Sequence, residues 1–324
     1  MSTKRPKIVV LDGYTLNPGD LSWTNLQALG ETVIHEYTPP EKIVEHCQGA
    51  QIVLSNKAII NGKAMAQLPD LQCICLMATG YNNIDTEAAR RHRIAVCNAV
   101  GYGTTSVAQH VFALILELTN KIALHNQSVQ EKQWTHCRDF SYHLQPIAEL
   151  AGKTMGIYGL GQIGNKVADI ALAFEMRVLA THKHPERDQR PGVAFVTIEE
   201  LFAKSDFISL HAPLSDDNAG IVNEQLLSRM KSTAYLINTG RGGLINEADL
   251  KAALTKGTIA GAGLDVLSVE PPPADHILYG LENCLITPHQ AWASQEARGR
   301  LMDIVVENVK AFLRGAAKNV VNEL

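Results

Sequence analysis

The chain lacks any stretch near the roughly 18 consecutive apolar residues that a membrane-spanning helix needs. Its longest candidate, VFALILEL (111–118), includes Glu117. It also lacks the pattern of a secretory signal, because the apolar run near its start covers only Ile8 to Leu11 and no small-residue cleavage site follows. Long Lys/Arg runs are missing and the net charge is −4, so there is no basic face for a nucleic acid or an anionic membrane. Six cysteines, at 47, 73, 75, 97, 137 and 284, form neither a CxxC pair nor a zinc-like spacing. His35, His46, His92, His125 and His136 share no repeated ligand spacing either, so no metal site is expected. The cysteines read as reduced thiols, mostly in a core, and therefore as those of a cytoplasmic protein.

What is present is apolar and ordered. Hydrophobic residues make up 46% of the chain and charged residues 19%, which fits a globular enzyme. A chain of 324 residues exceeds what one core usually accommodates, so two domains are expected. Apolar runs bounded by turn residues mark strands at KIVVLDG (7–13), AQIVLSN (50–56), LQCICLMATG (71–80) and RIAVCNA (93–99). Helix-like patterns between them read as a doubly wound parallel sheet. SVAQHVFALILEL (106–118) is too apolar for a surface helix and should lie between layers. A second series starts at KTMGIYGLGQIGNKVADIALAF (153–174). It continues through MRVLATH (176–182), DFISLHAP (206–213), AYLINTG (234–240), IAGAGLDV (259–266) and CLITPH (284–289), and an amphipathic helix closes the chain over 293–315. A dinucleotide-type domain that begins mid-chain implies an insertion: residues 100–292 within a domain built from 1–99 and 293–324.

GLGQIG places Gly159, Gly161 and Gly164 directly after an apolar strand and at the start of a helix. The first glycine permits the tight turn, the second lets backbone approach a pyrophosphate, and the third allows close helix–strand packing. Phosphate oxygens would then meet the amides around Gln162 and Ile163. This context, rather than the glycines alone, points to a nicotinamide dinucleotide. The acid that usually binds the adenosine ribose about 20 residues later is missing. ATHKHPER carries His182, Lys183, His184 and Arg187 there, a cluster that would attract a 2′-phosphate. NADP(H) use is thus expected beside NAD(H).

Reduction of a 2-oxo acid requires a cation for the carboxylate and carbonyl and a general acid for the developing alkoxide. Arg suits the first through its two-point fork, and His the second when a carboxylate beside it favours imidazolium. The candidates fall just past successive strands: Arg241 after AYLINTG, Asp265 and Glu270 in GLDVLSVEPP, and His289 at the end of CLITPH. In a parallel sheet these ends open onto the cofactor crevice. His110 and His143 are further candidates for a place near it, and Trp292 reads as packing.

The pieces ATGYNNID (78–85), CNAVGYGTTSVAQH (97–110), GIYGLGQIG (156–164), LHAPLS (210–215), INTGRGGLIN (237–246), GLDVLSVEPP (263–272) and TPHQAWAS (287–294) follow one another in order and, together with the flanking patterns, cover nearly the whole chain. In them the sequence resembles the D-isomer-specific 2-hydroxyacid dehydrogenase family. LDGYTLNPGDLSW (11–23) is most similar to the glycerate dehydrogenase/hydroxypyruvate reductase branch. The resemblance implies a Rossmann-type dinucleotide-binding domain inserted into a flavodoxin-like substrate domain, and a homodimer. It implies that Arg241 binds the substrate and that His289, paired with Glu270, donates the proton. Thr79 and Gly80 would hold the substrate carboxylate through their backbone, and Asp265 would sit by the nicotinamide carboxamide. Ala212, Pro213 and Asn218 would line the adenosine pocket, with Asn218 where the family often has Thr, and Thr239 and Gly240 the nicotinamide side. An aromatic residue of a neighbouring subunit approaches the active site in related reductases, and Trp134 is its counterpart here. His182, where many members carry Asp, departs from the pattern. The implied substrates are hydroxypyruvate/D-glycerate and glyoxylate. A broad 2-ketoacid reductase, a D-lactate-type dehydrogenase and, outside catalysis, a dinucleotide-sensing corepressor-like protein are the alternatives. Formate dehydrogenases place Gln at the position of Glu270, which argues against that branch.

Overall fold

The computed structural model describes residues 5–323 and divides into two compact units, one of residues 1–103 with 292–324 and one of residues 104–291. Both are built on wholly parallel sheets. In the first unit, β1 (Lys7–Val10), β2 (Glu31–Ile34), β3 (Ile52–Ser55), β4 (Cys73–Leu76) and β5 (Ala95–Cys97) lie in the order β2-β1-β3-β4-β5. That is the flavodoxin-like strand order. β3, β4 and β5 are buried along their whole length, as strands covered on both faces must be. One face packs on the C-terminal helix Gln295–Leu313, through Leu301, Val305 and Val309, and the other on shorter helices. Ser294 caps that helix by accepting the Ala297 N–H, and Arg298 ties its first turn to Asp20 through two bonds of 2.6 and 2.7 Å.

In the second unit, β6 (Thr154–Tyr158), β7 (Arg177–Thr181), β8 (Val193–Phe195), β9 (Phe207–Leu210), β10 (Tyr235–Asn238), β11 (Gly261–Leu264) and β12 (Cys284–Ile286) follow the order β12-β11-β10-β9-β6-β7-β8. Counted from β6 this is 3-2-1-4-5-6 with one further strand, the Rossmann arrangement. The apolar helix Thr104–Asn120 lies in this unit. Its buried Val111, Leu114, Ile115 and Leu118 pack with Met155, Ile157 and Ile237. No single helix among the described residues is long and apolar enough to cross a membrane. Both sheets thus have one strand more than the apolar runs predict, β2 and β8.

Cys73, Cys75 and Cys97 share one face of the first sheet in adjacent strands, with β4 and β5 pairing Cys75 to Cys97. They are buried among the apolar side chains beneath the C-terminal helix. Burial and mutual S–H contacts push the Cys73 and Cys75 thiols well up from their ordinary range.

Candidate active site

The order of the second sheet reverses between β6 and β9, the switch point where open α/β sheets bind ligands. The glycine turn leaves β6 there. Gly159 has φ +96°, and a Cβ on it would come within 2.6 Å of the Ala212 nitrogen, so the turn and the loop after β9 touch backbone to backbone. A Cβ on Gly164 would overlap the Gly159 carbonyl oxygen, whereas one on Gly161 would meet nothing within 4 Å. The helix Gln162–Ala173 starts at Gly161, which offers no side-chain cap. The amides of Gln162, Ile163 and Gly164 therefore keep the N–H groups of a helix N-terminus, which have no acceptor among the described residues.

Two hydroxyls on flanking strand ends are buried without partners: Thr181 Oγ1 at the end of β7 and Thr239 Oγ1 after β10. Such groups are rare in a finished interior, and both are free to bond a polar ligand at these strand ends. Asn238 shapes the turn beside Thr239 by accepting the Gly240 N–H at 3.0 Å and donating to the Arg241 carbonyl at 2.9 Å. Asn218 is spent inside its own loop, donating to Pro213 O and accepting the Ser215 N–H, each at 2.8 Å. His211, between Leu210 and Ala212, bonds Ser209 Oγ through Nε2 at 2.8 Å, while its Nδ1 is sealed from solvent with no acceptor. Burial holds its pKa down to about 3.

β10, β11 and β12 are neighbours in register, so the residues after them emerge side by side. His289 and Glu270 meet: Nδ1 lies 2.6 Å from Oε2. The other Glu270 oxygen accepts the Leu267 N–H at 3.1 Å. His289 has φ +51°, a left-handed conformation that is costly for a residue with a Cβ. Its N–H donates to the Asp265 carbonyl at 2.9 Å, and the adjoining loop is held by the Asp265 carboxylate. That carboxylate is 1% exposed and accepts from Thr287 Oγ1 (2.6 Å), Gln290 N (2.9 Å) and Ala291 N (2.9 Å). His110 bonds Thr287 Oγ1 at 2.9 Å from the buried side. Asp265 is therefore the anchor of the His289 loop, whatever else it faces. Arg241 is exposed; Nη1 donates to Gly240 O at 2.8 Å, and its remaining N–H groups meet no acceptor among the described residues.

Thr79 and Gly80 belong to the first unit, in the loop after β4. Thr79 donates to Ala99 O (2.7 Å) and accepts at its carbonyl from Asn98 (2.8 Å), which Asn308 holds in turn. Trp292, in the same unit, packs edge-on against Tyr102.

Residues 112–291 match the family described as D-isomer specific 2-hydroxyacid dehydrogenase, NAD binding domain. The chain is 43% identical over 322 residues to the hydroxypyruvate reductase of Blautia hydrogenotrophica, covering 98% of this chain and 100% of that one. It belongs to the D-isomer-specific 2-hydroxyacid dehydrogenase family.

The glycerate dehydrogenase of Methylorubrum extorquens is 41% identical, covering 89% of this chain and 92% of its own. Among solved structures, the NADPH-dependent glyoxylate/hydroxypyruvate reductase of Sinorhizobium meliloti, in complex with NADP and malonate, superposes with a TM-score of 0.82 at 28% identity. That match covers 98% of this chain and 97% of the other. The residues that match the NAD-binding model, 112–291, lie within the second unit, and the glycine turn fits a dinucleotide.

Several residues around the site carry no motif signal. Asn238 and Glu247 act on backbone or on a distant serine, and no spacing announces such contacts. Asp188 returns along the loop after β7 to stand 3.3 Å from His182 Nδ1. It also pairs with Arg187 through bonds of 2.9 and 2.6 Å, so the cationic cluster there contains a carboxylate of its own. Lys183 is exposed.

Proposed function

We propose that this dehydrogenase transfers a hydride between NAD(P)H and a small 2-oxo/D-2-hydroxy acid, with hydroxypyruvate/D-glycerate and glyoxylate as the substrate class. The observation that carries the reading is the 2.6 Å His289–Glu270 contact on a loop anchored by Asp265, beside a dinucleotide turn on the same sheet. The relatives named hydroxypyruvate reductase and glycerate dehydrogenase support that substrate class.

When bound, the nicotinamide supplies or accepts the hydride at the substrate's C2. Gly159, Gly161 and Gly164 with the amides of Gln162 and Ile163 would hold the pyrophosphate. Ala212, Pro213 and Asn218 would flank the adenosine, and Thr239, Gly240 and Asp265 the nicotinamide side. Arg241 would bind the carboxylate and polarise the carbonyl through its unspent guanidinium N–H groups. His289 would donate its Nε2 proton to the alkoxide that develops during reduction, and take it back during oxidation. Glu270, bonded to Nδ1, would fix which ring nitrogen faces the substrate. Thr79 and Gly80 would offer backbone N–H groups to the substrate carboxylate.

His182 and Lys183 would contact a 2′-phosphate, while Asp188 beside them offers a carboxylate to a free ribose. Use of both NADH and NADPH follows. The protein acts in the cytoplasm, a reading supported by six free thiols, and without nucleic-acid or membrane partners. Its partner is a second copy of itself. Exposed apolar side chains crowd the segment 122–147, among them Ile122, Trp134, Phe140 (90% exposed) and Ile147. Steady-state rates with hydroxypyruvate, glyoxylate and pyruvate, each with NADH and NADPH, test the reading. Turnover should be greatest with the first two. Absence of oxidation of either cofactor with any of the three acids would overturn it.

A further inference from the structure

The segment that presents Glu270 is held at its other end by a second carboxylate. Glu247, in the first turn of the helix Glu247–Thr255, accepts the Ser268 N–H at Oε1 (2.8 Å) and the Ser268 hydroxyl at Oε2 (2.8 Å). Its side chain is 13% exposed, and Oε2 also lies 3.2 Å from His276 Nε2. His276 Nδ1 receives the Leu278 N–H at 3.4 Å, which leaves Nε2–H to donate to Glu247 without any need for an imidazolium. The Tyr279 ring packs beside the His276 ring, with centroids 5.4 Å apart. Glu247 thus has three donors for its two oxygens, at a helix N-terminus that favours negative charge.

The same peptide is clamped from a second side. A Cβ on Gly242, the residue after Arg241, would overlap the carbonyl carbon of Leu267 and crowd the Ser268 nitrogen. The Arg241–Gly242 turn therefore sits in backbone contact with the Leu267–Ser268 peptide. Two residues further on is Glu270, whose oxygens are divided between Leu267 N–H and His289. A loosened Ser268 would let the peptide swing away from Gly242 and carry the Glu270 carboxylate with it.

We propose that Glu247, braced by His276, is a positioning residue. It fixes the Ser268 peptide so that Glu270 meets His289 and Arg241 keeps its register with them. The inference rests on the roles proposed above for Arg241, Glu270 and His289.

The test is Glu247→Gln. Its amide cannot satisfy all three donors, because the NH2 end faces either a Ser268 donor or the His276 Nε2–H. The expected result is a fall in kcat for 2-oxo acid reduction of about 10- to 100-fold, the cost of a misplaced reacting group. NAD(P)H affinity should be unchanged, and KM for the 2-oxo acid should move less than kcat, the split expected when a reacting group is displaced. Ser268→Ala keeps the backbone bond and should show a smaller fall in kcat with the same split, which covers the case in which Glu247→Gln does not fold. A wild-type kcat in Glu247→Gln, or an unmoved kcat in Ser268→Ala if the first variant is unfolded, overturns the proposal. His289→Ala measured beside them separates the two layers: if it turns over normally, the underlying roles fail; if it is inactive while the Glu247 variant is normal, only the positioning claim fails.

Discussion

Replacement of Asp265 by Asn changes one atom at the base of the His289 loop, and its cost can be worked from the contacts. The two carboxylate oxygens accept three hydrogen bonds: Thr287 Oγ1 and Gln290 N on one, Ala291 N on the other. An asparagine has a single acceptor oxygen, so in either orientation its NH2 points at a donor. In one orientation the Ala291 N–H is opposed; in the other, the Gln290 N–H is opposed while Thr287 can turn its hydroxyl to accept. One buried backbone donor is left unpaired and a charge-assisted bond is lost, which together cost about 2–3 kcal/mol. For a unit of this size that corresponds to a Tm lower by about 4–12 °C. The same loss frees the loop that holds His289 at φ +51°, and relaxation toward ordinary backbone would carry the imidazole off its position. The activity should accordingly fall by about 100-fold or more while the variant stays folded below its Tm. Differential scanning calorimetry and hydroxypyruvate-dependent NAD(P)H oxidation on the same sample read both effects. A Tm within 2 °C of wild type, as an order-of-magnitude bound, together with normal kcat, would refute the reasoning.

Three further outcomes are expected. Glu270→Gln retains a hydrogen bond to His289 but removes the carboxylate charge beside it, so kcat for reduction should fall about tenfold or more with NAD(P)H affinity unchanged; steady-state kinetics with a cofactor titration on the same preparation check it. Gly161→Ala should fold as well as wild type, because its Cβ meets nothing within 4 Å, yet bind NAD(P)H about tenfold or more weakly because the methyl stands where the pyrophosphate must approach; Gly159→Ala, with φ +96° and a backbone contact, should lose the fold instead. His211 is held down to about 3, so between there and the unfolded value of 6.5 the unfolded chain binds a proton that the folded chain does not. Stability should therefore fall as the medium is acidified below 6.5, by about 1.4 kcal/mol per pH unit from this one group, and His211→Gln should flatten that slope in urea titrations across the acid range.

Most strands that the sequence announces are well buried, although β12, a half-buried edge strand, is announced too. β3, β4 and β9 are mostly apolar runs, buried along their length because helices cover them above and below. The two that it hides are edge strands. β2 alternates exposed and half-buried residues and begins with Glu31, and β8 is three residues, half-buried, exposed and half-buried, after a polar loop. At an edge, pairing comes from backbone bonds that leave little trace in side-chain pattern. The candidate site divides the same way. Arg241, Glu270 and His289 are legible because parallel strands deliver their ends to one rim, and GxGxxG because glycine is required by backbone approach. Glu247, Asn238 and Asp188 are not, since each acts on a backbone group, a serine or a basic loop whose position only the folded chain defines. Asp265 stands between: its place is foreseeable, but its three bonds to residues 287–291 are not.

In the proposed function His289 passes the proton while the dinucleotide turn binds independently of it. Single-turnover oxidation of prebound NAD(P)H by hydroxypyruvate, in wild type and His289→Ala, tests this most directly when NAD(P)H affinity is measured by fluorescence on the same preparations. Equal cofactor affinity is expected, with a rate lower by about 10²–10⁴ in the variant, the usual contribution of a general acid. A variant that oxidises the bound cofactor at the wild-type rate would contradict it.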